Sequence, residues 1–182
     1  MSRHHRSSAR RIVAGAACVL ATLVPVLGSD GAAARSVAGC SLASLPRAAR
    51  AGQITLWGHA RSLARGRGGS YVLRFDPAMW LSGVTANRAS SQDGGESPVP
   101  NDVYVVDESA RQYVYVVPGS ARATVLTAGP CSTAVSVAEL AQIVAGANPR
   151  HRSLFDQARA LGFWITVGGG DHVRSIDQQY QP

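Results

Sequence analysis

The stretch QITLWGHARSLARGRGGSYVLRF, residues 53–75, contains two runs of alternating side chains on either side of a glycine-rich break. In the first run, residues 53–60, apolar side chains recur at every second position, and the second run extends from Tyr71 to Phe75. A period of two is typical of β-strands, and residues 65–69 between the runs form a turn sequence. The stretch therefore predicts a β-hairpin with a loose, arginine-rich tip.

The rest of the chain contains further segments of this kind. Residues 102–106 and 112–117 are rich in valine and tyrosine, and we expect residues 107–111 to join them as a second hairpin. Three more strands are predicted at residues 123–127, 163–167 and 173–176, the last two joined by a glycine turn at residues 168–171.

Two segments carry helix signals. Asp76-Pro77 has the residue types favoured at an N-cap and at the first helical position, which predicts a helix over residues 78–89. Ser136 and Glu139 have the spacing of a capping box at the start of a second helix. About seven short strands with short connections and two helices predict an α+β fold. We expect a mainly antiparallel sheet that forms a curled or partly open barrel.

The first 34 residues have the three parts of a secretory signal peptide. A basic start precedes an uncharged stretch, residues 12–28, and Ala32-Ala33-Ala34 supplies the small residues of a cleavage site. The stretch is shorter than the roughly 20 apolar residues of a membrane-spanning helix. We therefore predict a signal peptide at residues 1–34, a secreted or extracytoplasmic protein, and no transmembrane segment after cleavage. Arg10-Arg11 leaves the twin-arginine export route open as an alternative.

Cleavage would leave an N-terminal arm, residues 35–51, and one compact α+β domain, residues 52–182, long enough to bury a core. All 18 basic residues of the chain are arginine. The predicted signal contains four of these 18 and one of the 11 acidic residues, so the net charge falls from +7 to +4 after cleavage. A charge of this size does not by itself indicate nucleic-acid binding.

Two of the three cysteines, Cys40 and Cys131, remain after cleavage. An exported protein meets an oxidising environment, so we predict a disulfide that closes a loop of roughly 90 residues and contributes about 4 kcal/mol in the chain-entropy model. The alternatives are two free thiols, or a lipid on Cys40 that anchors the protein to the envelope, because residues 37–40 resemble a lipobox. Asp30 and Arg35 separate that motif from the apolar stretch, which argues against lipidation.

No motif in the sequence predicts a catalytic residue, a metal site or a cofactor. Gly-x-Ser-x-Gly, Cys-x-x-Cys and His-x-x-x-His are all absent, and the three histidines after the signal are far apart. Acidic residues around the predicted hairpin at residues 102–117 are interpreted as solvated side chains.

One arginine-rich segment is a candidate site. Six arginines between residues 47 and 74 occur with no acid between them, and Trp57, His59 and Tyr71 are interleaved with them. A cationic surface with aromatic rings is suited to polyanions: cell-wall phosphates, anionic lipid heads or nucleic acid. The alternative is an ordinary solvated hairpin. The candidate polyanion-binding residues are Arg61, Arg65, Arg67, Arg74, Trp57 and His59.

Several segments resemble a group of small secreted actinobacterial proteins for which no activity is established. The similar segments are residues 76–83 (DPAMWLSG), 100–106 (PNDVYVV), 163–167 (FWITV) and 178–182 (QQYQP), and the likeness covers roughly residues 53–182. The resemblance implies export, a single compact domain and a docked C-terminus with Tyr180 packed on the sheet. The sequence alone leaves a frayed tail open.

We expect an exported extracytoplasmic binding or interaction domain of unknown ligand that is non-catalytic. Its expected partner is an anionic cell-envelope component or another secreted protein. Two alternatives stay open: a small secreted hydrolase with His59 or His151 as the base, and an inhibitor of a secreted enzyme that presents the loop at residues 90–100.

Overall fold

The structure, a computed structural model, describes residues 41–42, 49–127, 131–155 and 162–180. These residues belong to one compact unit, Ser36–Pro182. The predicted signal peptide and most of the predicted arm lie outside the described residues.

Nine strands and two helices make up the described part of the chain. The helices are α1 (Gly83–Gln92) and α2 (Val137–Val144), and short 3-10 turns cover Pro100–Asp102 and Gly169–Asp171. The strands are β1 (Ser41–Leu42), β2 (Ile54–Arg65), β3 (Ser70–Ser82), β4 (Val103–Val106), β5 (Tyr113–Pro118), β6 (Arg122–Thr127), β7 (Cys131–Val135), β8 (Phe163–Gly168) and β9 (His172–Gln178).

Five of these strands close into a barrel, in the order β9, β5, β3, β2, β8 and back to β9. All neighbours in the barrel are antiparallel except β5 and β9, which run parallel. Strand β6 adds to β9 in parallel, and β7 and then β1 extend the sheet beyond it. The predicted α+β fold, a mainly antiparallel barrel with two helices, is confirmed.

The first predicted hairpin is present as β2 and β3, the two longest strands of the barrel. Its tip is a tight turn in which the Gly66 amide donates to the Ser70 carbonyl. Gly68 and Gly69 have φ of +61° and +76°, a left-handed conformation that residues with a side chain rarely adopt. The predicted turn between β8 and β9 is also present, at Gly169–Asp171.

The predicted helix over residues 78–89 is wrong at its start. Strand β3 continues through Asp76-Pro77 to Ser82, and α1 begins only at Gly83. Residues 76–78 pair with β2, and residues 79–82 pair with β4. The backbone hydrogen bonds of two partner strands therefore override the local N-cap signal.

The predicted hairpin between residues 102–106 and 112–117 is also wrong. Met79 of β3 lies opposite Val106 of β4, and Phe75 lies opposite Tyr113 of β5. Both segments thus run antiparallel to β3 and in the same direction as each other, with residues 107–112 between them. The length of β3 explains the difference, because one long strand can pair with two short strands, β5 along its first part and β4 along its last part.

The core fills the barrel and the space beneath α2. Ser136 caps α2 as predicted, since its Oγ accepts from the Glu139 amide at 3.1 Å. The helix packs against β2 and β6. The most deeply buried apolar side chains of the core include Leu73, Phe75, Val117, Val125, Leu140, Ile165, Val173 and Ile176.

The last described residues, 178–180, are docked, with Tyr180 against Phe155; packing of Tyr180 on the sheet, which the resemblance implies, stays a prediction. The rings of Tyr180 and Phe155 meet edge to face with centroids 5.5 Å apart. Two residues before Tyr180, the side-chain oxygen of Gln178 accepts a hydrogen bond of 2.7 Å from the Leu126 amide in the buried part of the domain.

Candidate functional site

A second cluster of large side chains lies on the outer face of the barrel. In β2, residues 56 and 58 point towards the core, so residues 55, 57 and 59 point outward. Trp57 lies directly opposite Trp164 of β8, and His59 lies opposite Asp76 of β3. Facing pairs in a sheet project to the same side, so these residues share one surface.

Three tryptophans dominate this surface. Trp57 and Trp80 have ring centroids 5.4 Å apart, and Trp80 and Trp164 have centroids 6.0 Å apart. The His59 ring meets Trp57 edge-on at 5.2 Å. Trp57 is only 2% exposed and forms the floor, whereas Trp80, Trp164 and His59 are half-buried. We call Trp57, Trp80, Trp164 and His59 the tryptophan face.

The floor of the tryptophan face packs tightly against the chain entering β8. A Cβ placed on Gly162 would lie 2.2 Å from Cζ2 and 2.4 Å from Cε2 of Trp57. Such contacts are far inside van der Waals distance, so position 162 accepts only glycine unless the indole moves. The absence of a side chain at Gly162 therefore helps to set the position of the Trp57 ring.

A buried acid lies beside His59 at one edge of the face. Asp76 is 3% exposed, and its Oδ2 accepts from Nε and Nη2 of Arg61 at 2.9 and 2.6 Å. Arg61 lies at an irregularity in the pairing of β2 with β3, between Ala60 and Ser62. Such a β-bulge redirects a side chain, which is consistent with Arg61 reaching the same side as Asp76.

His59 has an acidic partner of its own. Its Nε2 lies 3.5 Å from Oδ2 of Asp107, the first residue after β4. Both side chains are partly exposed, at 23% and 30%. His59 and Asp107 thus form a histidine–acid pair.

Four buried side-chain atoms have no hydrogen-bond partner among the described residues, and all four belong to this outer surface. They are Thr55 Oγ1, Trp57 Nε1, Trp164 Nε1 and Asp76 Oδ1. Folded proteins pair about nine in ten of their buried polar groups, so four exceptions on three adjacent strands form an unusual concentration.

The predicted polyanion-binding residues are spread over four places. Trp57, His59 and Arg61 lie together on the outer face, where Arg61 is paired with Asp76. Arg65 lines a shallow cleft of about 280 Å³ between the hairpin and α2. Arg67 lies in the exposed turn. Arg74 is exposed on β3, opposite Val114 of β5.

The described part of the chain gives less support to a site at its two other histidines, to a metal site or to a membrane-spanning helix. His151 and His172 are exposed, and no acid of the described residues forms an ion pair with either. Among the described residues, no group of histidine, cysteine and acidic side chains could hold a metal ion. No helix in the described part of the chain has the length and apolar character needed to cross a membrane.

The predicted disulfide involves Cys40, which lies outside the described residues. The next two residues, Ser41 and Leu42, pair with Ser132 and Cys131 of β7. This pairing brings the chain after Cys40 alongside the strand that contains Cys131. The disulfide stays a prediction.

Sequence reasoning missed half of the tryptophan face. The Asp76-Pro77 signal predicts a helix at Trp80, and the alternation around Trp164 predicts only a strand. The alternation in residues 163–167 was a usable signal, since Trp164 stands between the apolar Phe163 and Ile165 and so points to the other side of β8. Asp107 could not be placed without the tertiary structure.

Comparison of the chain with protein families, with curated proteins and with solved structures finds no match.

Proposed function

We propose that this chain is an exported extracytoplasmic binding domain, non-catalytic, that holds its ligand at the tryptophan face. The observation that carries the proposal is the set of four buried polar atoms on this surface that have no partner among the described residues. A buried polar group without a hydrogen bond costs about 1–3 kcal/mol. A ligand that hydrogen-bonds to these atoms would offset part of that cost, and this gain would favour binding at the tryptophan face.

The composition of the face supports the same proposal. Ligand sites are lined mainly by apolar and aromatic side chains, with a few polar groups that orient the ligand. Here three indoles supply the apolar area, and His59, Asp76 and Arg61 supply polar groups at its edge. Tryptophan also contributes more contact energy per residue than most side chains at binding surfaces.

Export is the second part of the proposal, and it rests on the predicted signal peptide of residues 1–34. The partner would then lie outside the cytoplasm, as a component of the cell envelope or as another secreted protein.

The test is retention of purified mature chain, residues 35–182, by washed actinobacterial cell envelopes in a sedimentation assay. We expect the wild type to sediment with the envelopes and the double variant Trp80→Ala/Trp164→Ala to lose about tenfold or more of its affinity. Val84→Ser is the matched control, because Val84 on α1 is 85% exposed and lies outside the face.

Circular dichroism and thermal melting establish that each variant is folded before binding is compared. If the folded double variant sediments as well as the wild type, the tryptophan face is not the binding surface and the proposal fails.

The pairing of His59 with Asp107 favours a second candidate, a small secreted hydrolase in which His59 acts as the general base. A carboxylate that holds an imidazole in one orientation is the usual support for that role. Wild-type chain and the variants His59→Ala and Asp107→Asn would be compared on ester, glycoside and peptide substrates. Turnover by the wild type that both variants lose, with the fold intact, would replace the non-catalytic proposal.

A further inference from the structure

We propose that the ligand of the tryptophan face is an uncharged saccharide segment, a chain of pyranose units such as those in envelope glycans. This inference rests on the proposed function and specifies its ligand. It follows from the aromatic area, the hydrogen-bonding groups and the local charge of the face.

The aromatic area suits the flat side of a sugar ring. A pyranose presents C–H groups polarised by neighbouring oxygens, and these are attracted to the negative face of an indole. Trp80 and Trp164 are both half-buried with centroids 6.0 Å apart, and Trp57 backs the cluster through its contact with Trp80. The two ring planes are tilted by 56° to each other, so each indole offers a separate stacking surface to one sugar unit.

The unpartnered atoms match the chemistry of hydroxyl groups. The indole Nε1 groups of Trp57 and Trp164 are donors, Asp76 Oδ1 is an acceptor, and Thr55 Oγ1 can be either. A hydroxyl both donates and accepts, so one sugar can satisfy groups of both kinds. Because these atoms are buried, binding requires neighbouring side chains to move, and tryptophan fluorescence reports the change in the surroundings of the indoles.

The charges of the face argue against an ionic ligand. Each acid here already faces a base: Asp76 contacts Arg61, and Asp107 contacts His59. Beside Trp164, Asp177 accepts from Arg122 at 2.7 Å. A polyanion would have to displace these carboxylates, whereas an uncharged ligand leaves the three contacts in place.

The experiment titrates mature chain with chitotetraose and with maltotetraose, and with heparin as the polyanion, while tryptophan fluorescence and calorimetric heat are measured. We expect a saturable response to at least one oligosaccharide that changes little between about 50 and 500 mM salt, because no counterions are released. Trp80→Ala and Trp164→Ala, assayed separately by calorimetry, should each weaken binding about tenfold or more.

Arg65→Ala/Arg67→Ala is the matched control, since it removes two exposed hairpin cations and leaves the tryptophan face intact. This control should bind the oligosaccharide as the wild type does. A different result would point to a polyanion. In that case the wild type binds heparin, the binding weakens steeply with salt, and Arg65→Ala/Arg67→Ala abolishes it, which would place a polyanion site at the hairpin tip.

The outcomes separate this inference from the proposed function. If the tryptophan variants lose envelope retention but neither oligosaccharide binds or displaces the chain, the saccharide inference is overturned and the binding domain stands. If the tryptophan variants are still retained by the envelopes, the proposed function is wrong, and the saccharide inference that rests on it is wrong as well. Asp76→Asn provides a second variant if an indole substitution prevents folding, and it should weaken oligosaccharide binding while the fold persists.

Discussion

Two buried acids in this protein differ in how completely they are paired. The side chains of Glu139 on α2 and Asp76 on β3 are each 4% exposed, and each contacts arginine. Glu139 uses both carboxylate oxygens: Oε1 accepts from Arg152 at 2.5 Å, and Oε2 lies 3.3 Å from Arg150. Asp76 uses only Oδ2, and its Oδ1 has no partner among the described residues.

The difference separates a structural ion pair from a candidate binding group. Arg152 is itself held by Asn148, whose side chain both donates to and accepts from the Arg152 backbone, so the Glu139 pair ties α2 to the segment that follows it. The Arg152 hydrogen bond holds the pKa of Glu139 below its usual value despite burial. A carboxylate with both oxygens engaged stabilises the fold, whereas the buried Oδ1 of Asp76 leaves hydrogen-bonding capacity that the proposed ligand would use.

The largest expected effect is at the paired acid. Glu139→Gln leaves Arg152 without its counter-charge and should lower the free energy of unfolding by roughly 3 kcal/mol at neutral pH, the lower end for breaking a buried pair. Chemical denaturation measures this change. Glu108→Gln, at an exposed glutamate, is the matched control and should change stability by less than about 0.5 kcal/mol.

The same pair gives a pH dependence of known sign. The folded-state pKa of Glu139 is lowered from 4.5, so its stabilising contribution is complete above that value and is lost as the pH falls through the folded pKa. The stability difference between wild type and Glu139→Gln should therefore shrink as the pH falls from 4.5 through the lowered folded-state pKa. A difference that stays constant over this range would show that the charge of Glu139 is not what stabilises the pair.

An intermediate effect is expected at the floor of the tryptophan face. Gly162→Ala places a methyl group against the Trp57 ring and should destabilise the domain by about 1–3 kcal/mol, with a shift in tryptophan emission as the indole moves. Gly169→Ala is the control, because a Cβ at Gly169 meets no atom within 4 Å. Equal melting temperatures for the two variants would contradict the tight packing at Gly162.

The smallest effect on stability is expected at the incompletely paired acid. Asp76→Asn removes a buried charge whose partner Arg61 is 49% exposed and can return to solvent, so we expect a change of less than about 1 kcal/mol in either direction. Envelope binding, measured by sedimentation, should nevertheless fall. A loss of stability as large as that of Glu139→Gln would mean that Asp76 is structural and would remove the contrast between the two acids.

Much of the fold could be predicted, and the failures have one cause. The hairpin of β2 and β3, the glycine turn before β9 and the Ser136 cap are local features, because each depends on residues close in sequence. The start of α1 and the supposed hairpin after it failed because β3 pairs with β2, β4 and β5. Pairing with strands that are distant in sequence therefore determined where β3 ends and α1 begins.

The candidate site shows the same limit. Trp57, His59 and Arg61 were identified because they lie within one strand, whereas Trp80, Trp164 and Asp107 come from other strands and from the end of β4. No spacing along the chain indicates that these six residues meet.

The sequence by itself determined which side chains share a face of β2 and of β8, and where the tightest turns and the cap of α2 fall. It also predicts an export signal. These features follow from local periodicity and residue chemistry. Only the tertiary structure decided that the outward residues of β2, β3 and β8 form one tryptophan face, and that Asp76 is buried there beside Arg61. Strand order and register are long-range properties, because closing a barrel depends on the packing of the whole chain rather than on any single segment.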